Sequence, residues 1–292
     1  MSATDNWGRW GEEDERGCLN LVDAAAVLRG AASVRRGEVI ELGHVIGSAR
    51  SPVLEGRRAT TQHFMLRDGG DPEEGGPGAL QHAEDALSIY VHATTTHIDG
   101  LGHGWADGRL YNGFPAAEVN SRGARRCGVE KMGGIVTRGV LLDVPALHGK
   151  TALEIDHEIS AEEMEGAAEA AGGVEPGDAV LVRTGWMADA ERRPNDLPLE
   201  HPGIGASAVD WLADNDIALT GADTIAYERV PAADGSFSPL HVRLLRELGL
   251  PIMELLDLER LAAGRHTQFC LMVSPLRIQG GTGSPVCPLA IV

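Results

Sequence analysis

Continuous apolar runs recur along the chain and are separated by mixed polar and apolar stretches. Short runs of this kind, rich in valine, isoleucine and leucine, are typical of strands buried on both faces of a sheet. They predict strands over 38–46, 87–98, 134–144, 179–186, 217–224 and 269–278. Helices are predicted over 20–33, 160–172, 206–215, 239–249 and 256–264.

Local signals support one of these helices in particular. Ser160 and Glu163 have the spacing of a capping box, and Gly172 suits the end of the same helix. Because strands and helices are intermixed along the chain, the pattern indicates an α/β or a mixed α+β domain. The pattern alone does not fix the topology.

Composition narrows the class of protein and of partner. The chain has 292 residues, 43% of them hydrophobic, which is enough for one large domain or two small ones. Its net charge of −18 would repel nucleic acid and anionic membrane surfaces, so we expect neither as a partner. We find no signal peptide, no CxxC pair and no apolar run of the roughly 18 residues that span a bilayer. We therefore expect a cytoplasmic protein with free thiols.

The stretch VHATTTHIDGLGH, residues 91–103, is the richest in chemistry. Residues two apart on a strand face the same side, so His97 and Asp99 point together. His103 follows Gly100 and Gly102 and can fold back towards them. Neutral imidazole nitrogen and anionic carboxylate oxygen are ligands of a divalent metal. A single H-x-D is also explained by two polar residues at the end of a strand.

A second group of candidates lies near the far end of the chain. Glu254 falls in the apolar run PIMELLDL, where a carboxylate is costly unless it is paired or bound to a metal. His241 lies thirteen residues earlier in a predicted helix. Taken alone, such a histidine is more often a surface or core residue than a ligand.

At this point the sequence resembles a known family along nearly its whole length. It is similar to the metal-dependent hydrolases of the cyclase family, which include bacterial kynurenine formamidase and isatin hydrolase. Their signature is H-x-G-T-H-x-D-x-x-x-H, and the chain matches its second half with Thr96, His97, Asp99 and His103. Further stretches that carry the resemblance are WGRWGEEDERGCLNLV (7–22), DGRLYNG (107–113), GDAVLVRTGW (177–186), TGADTIAYE (220–228), LHVRLLRELGLPIMELLDLE (240–259) and PLRIQGGTGSPVCPLAIV (275–292).

The resemblance implies a fold and a set of roles. The implied fold is α/β, a single swivelling β/β/α domain over 1–292 with a central β-core, outer helices and an N-terminal arm over 1–20. His97, Asp99, His241 and Glu254 fall on metal-ligand positions, and His103 falls on the position of the catalytic histidine. The family also implies a homo-oligomer, either a homodimer or a homotetramer.

The chain departs from the family signature at its first histidine. Ala93 occupies that position, and His92 lies one place away. In a regular strand His92 would face away from His97, although a one-residue bulge would bring it round. We therefore expect one zinc or manganese ion per chain, and a second ion only if His92 participates.

These residues predict hydrolysis of a small amide, cyclic amide or lactone. A divalent metal with an open position activates water and polarises a carbonyl, and His103 would serve as general acid and base. Trp105, Phe64 and His63 are the candidates for contact with substrate. Two alternatives stay open: a metal-dependent cyclase or dehydratase in a biosynthetic pathway, and a non-catalytic metal-binding relic.

Overall fold

The computed structural model describes residues 5–47, 61–72, 75–191, 200–232, 235–236 and 238–292. The first four residues of the predicted N-terminal arm lie outside this part of the chain. The described strands, in chain order, are β1 (Val39–Glu41), β2 (Gln62–Arg67), β3 (Glu84–Ser88), β4 (His97–Asp99), β5 (Val119–Asn120), β6 (Gly123–Ala124), β7 (Ile135–Asp143), β8 (Glu158–Ile159), β9 (Ala179–Arg183), β10 (Gly203–Ile204), β11 (Leu219–Ala222), β12 (Ile252–Glu254), β13 (Gln268–Val273), β14 (Gly283–Pro285) and β15 (Leu289–Ile291).

Nine of these strands form the central sheet, in the order β1-β15-β13-β7-β9-β11-β12-β4-β14. The middle of the sheet is parallel, since β7, β9, β11 and β12 run in one direction. Both margins are antiparallel: β13 against β7 on one side, and β4 against β12 on the other. The remaining strands pair in twos, as β2-β3, β5-β6 and β8-β10.

The helices lie outside this sheet. They are α1 (Ala24–Ala32), α2 (Val144–Leu147), α3 (Ala161–Ala171), α4 (Trp186–Glu191), α5 (Ala206–Asp214), α6 (Pro239–His241) and α7 (Glu259–Gly264). A π-helical segment, Val242–Leu248, continues α6 directly. The predicted capping box of α3 is confirmed, with Ser160 and Glu163 bonded in both directions and Gly172 left-handed at φ 97°.

The two faces of the sheet are buried in different ways. Along β7 and β9, Val140 and Val180 face the helices α3 and α5 and the π-helical segment. Alternate residues such as Leu141 and Leu181 point to the other face. There they meet Ile40, Ile98 and Phe269 from strands near both edges, among other apolar residues. The sheet is therefore curled around an inner core, and the predicted α/β fold with a central β-core and outer helices is confirmed.

The N-terminal arm holds the π-helical segment in place. The Asn6 side chain donates to the carbonyl of Leu248 over 2.9 Å, and the Trp7 indole donates to that of Arg246 over 2.7 Å. The amide of Cys18 donates to the carbonyl of Gly249 over 2.7 Å. The arm thus packs against the helix that begins with α6. Within the described residues, no helix has both the length and the apolar character needed to cross a membrane.

Most predicted elements of the central sheet are found, but one prediction is wrong. The runs 134–144, 179–186, 217–224 and 269–278 contain β7, β9, β11 and most of β13. The single strand predicted over 87–98 does not form. It is divided into the end of β3 and the start of β4 by turn and bend residues over 92–96. This interruption shapes the candidate site.

Candidate active site

The site is built on two short antiparallel strands. In the register of β4 and β12, His97 lies opposite Glu254 and Asp99 lies opposite Ile252. Because strand side chains alternate, Ile98 and Met253 enter the inner core, while His97, Asp99 and Glu254 share the helix-covered face. These three polar side chains are at most 4% exposed. The fold therefore buries one imidazole between two carboxylates.

One nitrogen of His97 is held by the backbone and the other faces the carboxylates. Its Nδ1 lies 2.7 Å from the carbonyl of Thr95, which can only accept, so Nδ1 donates. In its neutral form the imidazole then presents a lone pair at Nε2. Nε2 lies 3.2 Å from Oε2 of Glu254 and 3.5 Å from Oδ1 of Asp99.

His241 reaches the same place from the end of α6, directly before the π-helical segment. Its Nε2 lies 3.1 Å from Oε1 of Glu254 and 3.8 Å from Oδ2 of Asp99. On its other side, Nδ1 lies 2.6 Å from Oε1 of Glu228. Glu228, which is 1% exposed, also accepts from the backbone amides of Leu240 and His241, each over 3.0 Å. Glu228 thereby fixes both the orientation of this helix start and the direction of the imidazole.

Asp99 is the centre of the cluster because its two oxygens serve different neighbours. Oδ1 lies 2.7 Å from Nδ1 of His92 and 3.5 Å from Nε2 of His97. Oδ2 lies 3.8 Å from Nε2 of His103 and 3.8 Å from Nε2 of His241. One carboxylate thus links all four histidines of the site.

The donor set fits a divalent cation. His97 Nε2 and Asp99 Oδ2 are buried and have no hydrogen-bond partner among the described residues. Leaving such atoms unsatisfied is costly, so their convergence fits the binding of a cation. The ligand atoms of Asp99, His241 and Glu254 lie within 4.8 Å of one another, and those of His92, His97 and Asp99 form a second such group. Imidazole and carboxylate together suit zinc or manganese.

His92 faces the cluster, contrary to the expectation for a regular strand. The chain turns at Ala93, whose φ of 62° lies in the left-handed region. This turn reverses the side that His92 presents, and its ring stacks on that of His103 with centroids 3.8 Å apart. Its Nε2 lies 3.2 Å from the hydroxyl of Thr282. The local backbone therefore supplies the imidazole that the position of Ala93 lacks.

His103 stands at the margin of the cluster. Its side chain is 32% exposed, whereas that of His97 is fully buried. Burial, reinforced by repulsion from His92 and His241, lowers the pKa of His103, and attraction to Asp99 offsets this only in part. A histidine with a lowered pKa is neutral near pH 7 and can accept a proton. The position suits an acid–base group beside the ligands.

The buried carboxylates remain charged in spite of their burial. Burial raises the pKa of Asp99. Attraction to His103 and His97 in their protonated forms and a hydrogen bond from His92 outweigh burial and hold the pKa well below the usual range. Burial and repulsion from Asp99 also raise the pKa of Glu254, yet bonds from His241 and His97 lower it overall. Two neighbouring anions at neutral pH are the electrostatic setting that a cation requires.

An open cleft of about 370 Å³ leads to His92. It is lined by residues 89–92, Ile278 and residues 280–283. The predicted substrate contacts are not gathered in it. Trp105, two residues after His103, is 49% exposed, and Phe64 on β2 is 48% exposed. His63, also on β2, bonds instead to Asp85 of β3 over 2.7 Å on an exposed surface.

Two polar residues of the site were missed from the sequence. Glu228 lies within TGADTIAYE, and its only local signal is a carboxylate in an apolar stretch. Thr282 lies in the glycine-rich turn GGTGSP. Both act through partners distant in sequence, His241 and His92, so no spacing rule identifies them.

Comparison with known proteins shows what the chain as a whole is similar to. The family model for Cyclase, described as "Putative cyclase", matches residues 40–229. A crystal structure of a novel cyclase is similar at 31% identity over 99% of each chain, with a TM-score of 0.90. Isatin hydrolase A from Labrenzia aggregata, bound to benzyl benzoate, is similar at 22% identity, with 90% of this chain and 95% of that chain covered and a TM-score of 0.65.

A predicted metal-dependent hydrolase from Bacillus stearothermophilus is similar at 18% identity, covering 87% of this chain and 97% of that chain, with a TM-score of 0.55. No curated protein matches the chain in sequence. At these identities the two hydrolase structures show a common fold. The similarity at 31% identity extends over nearly the whole chain.

Proposed function

The chain belongs to the cyclase family, and from that premise we propose that it is a metal-dependent hydrolase of a small amide, cyclic amide or lactone. The observation that carries the proposal is the buried convergence of His97, Asp99, His241 and Glu254. Two of their polar atoms, His97 Nε2 and Asp99 Oδ2, have no hydrogen-bond partner among the described residues. The structures similar to this chain include hydrolases, which supports the same reading.

These four residues would hold the metal, zinc or manganese. When bound, a divalent ion supplies a Lewis acid that polarises a carbonyl and makes water more acidic. The chain orients the ligand side chains before the metal binds. Thr95 and Glu228 orient the two imidazoles through their Nδ1 atoms, so that each Nε2 is directed at Glu254. Such outer contacts tune the affinity of a metal site.

His103 would carry the proton in hydrolysis. The water oxygen forms a bond to the substrate carbonyl carbon while one of its protons passes to the imidazole. The bond from that carbon to the leaving nitrogen or oxygen then breaks, and the imidazole returns a proton to the leaving atom. Stacking on His92 holds the ring beside Asp99. No serine or cysteine nucleophile is needed for this route.

The cleft beside His92 is the proposed approach for substrate. Its lining combines the apolar residues Ile89, Tyr90 and Ile278 with the backbone of 280–283. A small, mainly apolar molecule with one carbonyl group fits that chemistry. We retain Trp105, Phe64 and His63 as proposed substrate contacts, Trp105 being nearest in sequence to His103.

The number of ions depends on His92. One ion per chain at His97, Asp99, His241 and Glu254 is the simplest occupancy. The group formed by His92, His97 and Asp99 offers a second position on the other oxygen of the same carboxylate. We therefore propose one ion, with a second when His92 acts as a ligand rather than as a hydrogen-bond donor to Asp99.

The experiment that tests the proposed function is a substrate panel with the metal-loaded protein. Small amides, cyclic amides and lactones would be incubated with zinc- or manganese-loaded protein, and the masses of the products would be measured by mass spectrometry. Hydrolysis adds the mass of one water, whereas a dehydration removes one and a cyclisation adds none. Asp99→Asn is the control that should abolish turnover. A protein that binds metal but converts none of the panel would favour the non-catalytic reading.

We also propose a homodimer or homotetramer, which an exposed apolar ribbon supports. The β2-β3 ribbon leaves Phe64, Met65, Leu66 and Leu87 between 48% and 65% exposed. An isolated two-stranded ribbon is at best marginally stable in water, so a second copy is a natural cover for it. Light scattering should give a multiple of 30.9 kDa, and Leu66→Ser should lower the apparent mass.

The remaining partner and location expectations are proposals as well. A net charge of −18 argues against nucleic acid and anionic membrane surfaces as partners. All four cysteines, Cys18, Cys127, Cys270 and Cys287, are free thiols, as in proteins of a reducing compartment. We therefore propose a cytoplasmic location, which cell fractionation would test.

A further inference from the structure

A second cluster of two histidines and a glutamate lies outside the candidate active site. His148 follows α2, His157 precedes β8, and Glu163 lies in the first turn of α3. The Nε2 atoms of the two imidazoles lie 2.7 Å and 2.8 Å from the same oxygen, Oε1 of Glu163. The three side chains are 36%, 27% and 17% exposed, so the cluster is open to solvent.

Glu163 divides its two oxygens between two tasks. Oε2 accepts from the amide of Ser160 over 2.9 Å and completes the capping box of α3. This contact fixes the carboxylate, and Oε1 is left to face His148 and His157. A carboxylate held by one oxygen and presenting the other is preorganised for a cation, because binding need not order it again.

From this arrangement we propose that His148, His157 and Glu163 form a second, peripheral site for a divalent cation of the zinc type. Two imidazole nitrogens and one carboxylate oxygen are ligands that zinc accepts, and a fourth position stays open for water. The three ligand atoms already lie within 4.8 Å of one another. This site is independent of the proposed hydrolysis and shares no residue with the buried cluster.

The two contacts to Glu163 require only a small adjustment to accept zinc. Tetrahedral zinc with bonds of about 2.0–2.1 Å separates its ligand atoms by roughly 3.3 Å. The present separations of 2.7 Å and 2.8 Å would each open by about half an ångström. The two rings are inclined at 65°, with centroids 5.6 Å apart, so they approach Oε1 from different directions. Partly exposed imidazoles can move by this amount without disturbing the core.

The electrostatic surroundings also favour a cation. The nearest lysine along the chain, Lys150, pairs with Glu154 over 3.1 Å. With neutral imidazoles the cluster carries the charge of Glu163, and the whole chain carries −18. A negative protein raises the local concentration of cations. Bound zinc would tie the end of α2 and the segment before β8 to the start of α3.

Zinc binding to matched variants tests the proposal. The full chain and its His148→Ala, His157→Ala, His82→Ala and Asp99→Asn variants would be dialysed against one buffered free-zinc concentration and their zinc measured. His82 is the matched control, since it bonds to Glu84 over 3.1 Å on an exposed surface and belongs to no possible metal-binding group among the described residues. Circular dichroism would show that each variant is folded.

We expect wild type and His82→Ala to hold one more zinc per chain than His148→Ala and His157→Ala. A titration should show affinity at the peripheral site falling at least about tenfold in each of these two variants. The peripheral zinc should persist in Asp99→Asn, even if zinc is lost from the buried cluster. Equal zinc in wild type and in both histidine variants would overturn the proposal, as would an equal loss in His82→Ala.

Discussion

Two histidine–carboxylate clusters among the described residues, the buried one and the peripheral one, differ in what surrounds them. At the buried cluster, His97 and His241 are each held through Nδ1, by a backbone carbonyl and by Glu228. At the peripheral cluster, Nε2 of His148 and of His157 meet one carboxylate oxygen instead. The first arrangement directs lone pairs at a common point, whereas the second satisfies its polar atoms within itself.

The buried cluster, called the inner cluster below, is a preformed site. The peripheral cluster, called the outer cluster below, can adapt its geometry. Buried polar atoms that lack a protein partner cannot form hydrogen bonds to water instead. Binding of a ligand to the unpaired atoms of the inner cluster is therefore strongly favourable. The polar atoms of the outer cluster can form hydrogen bonds to solvent and to the Glu163 carboxylate without a metal. We therefore expect tight metal binding at the inner cluster and weaker, exchangeable binding at the outer one.

The largest expected effect is a loss of turnover without a loss of bound metal when His103 is replaced. His103→Ala should lower turnover by about 10²–10⁴-fold, because it removes the proposed proton carrier while leaving the four ligands in place. Metal content and turnover measured on the same sample check this. His82→Ala should change neither quantity. Loss of the metal along with the activity would show that His103 is a ligand, and the assigned role would be wrong.

The next effect concerns the outer support of His241. Glu228→Gln should weaken metal binding at the inner cluster by about 10–100-fold, since it weakens the contact that orients the imidazole. Competition with a chelator measures the affinity. Glu158→Gln, an exposed glutamate in the same part of the fold, is the matched control. Unchanged affinity in Glu228→Gln would mean that the helix start alone positions His241.

A third change tests the position of His92. A Cβ added at Gly283 would lie 2.6 Å from Cε1 of His92 and 2.9 Å from the carbonyl of Ile98. Gly283→Ala should therefore displace the His92 ring and cost about 1–3 kcal/mol in the free energy of unfolding. Chemical denaturation gives this value. A variant of native stability would contradict the placement of His92 beside β14.

The smallest effect concerns the turn at Ala93. Ala93→Gly should change the free energy of unfolding by less than about 1 kcal/mol, since glycine adopts a positive φ readily but gives up a buried methyl group. Ala93→Val should cost about 1–2 kcal/mol, because a left-handed conformation is unfavourable for a β-branched residue. Equal stabilities for the two variants would argue against the left-handed turn.

The sequence predicted the elements that are marked by a local pattern of residues. The apolar runs of β7, β9 and β13 and the capping box of α3 can be recognised from neighbouring residues alone. The break over 92–96 could not, because the apolar and β-branched residues around it are equally typical of a continuous strand. The π-helical form of 242–248 was also not predicted, since a helical pattern of residues does not distinguish a π-helix from the predicted α-helix.

The candidate ligands followed the same division. His97 and Asp99 were suggested by strand alternation, and Glu254 was suggested by its place in an apolar run. The family resemblance then gave His241 and Glu254 their positions as ligands. The structure brings these four together, while their role as metal ligands stays a prediction. His92 and Glu228 depend on a left-handed turn and on a contact between residues 13 apart, which only the folded backbone shows.

The most direct test of the central claim is the metal content of the inner cluster. Wild type and a His241→Ala/Glu254→Gln variant would be loaded with zinc or manganese, dialysed, and measured by elemental analysis. The outer cluster is identical in both proteins, so the difference reports the inner cluster alone. We predict that wild type holds at least one more ion per chain than the variant. Equal metal content in the two folded proteins would contradict a metal site at His97, Asp99, His241 and Glu254.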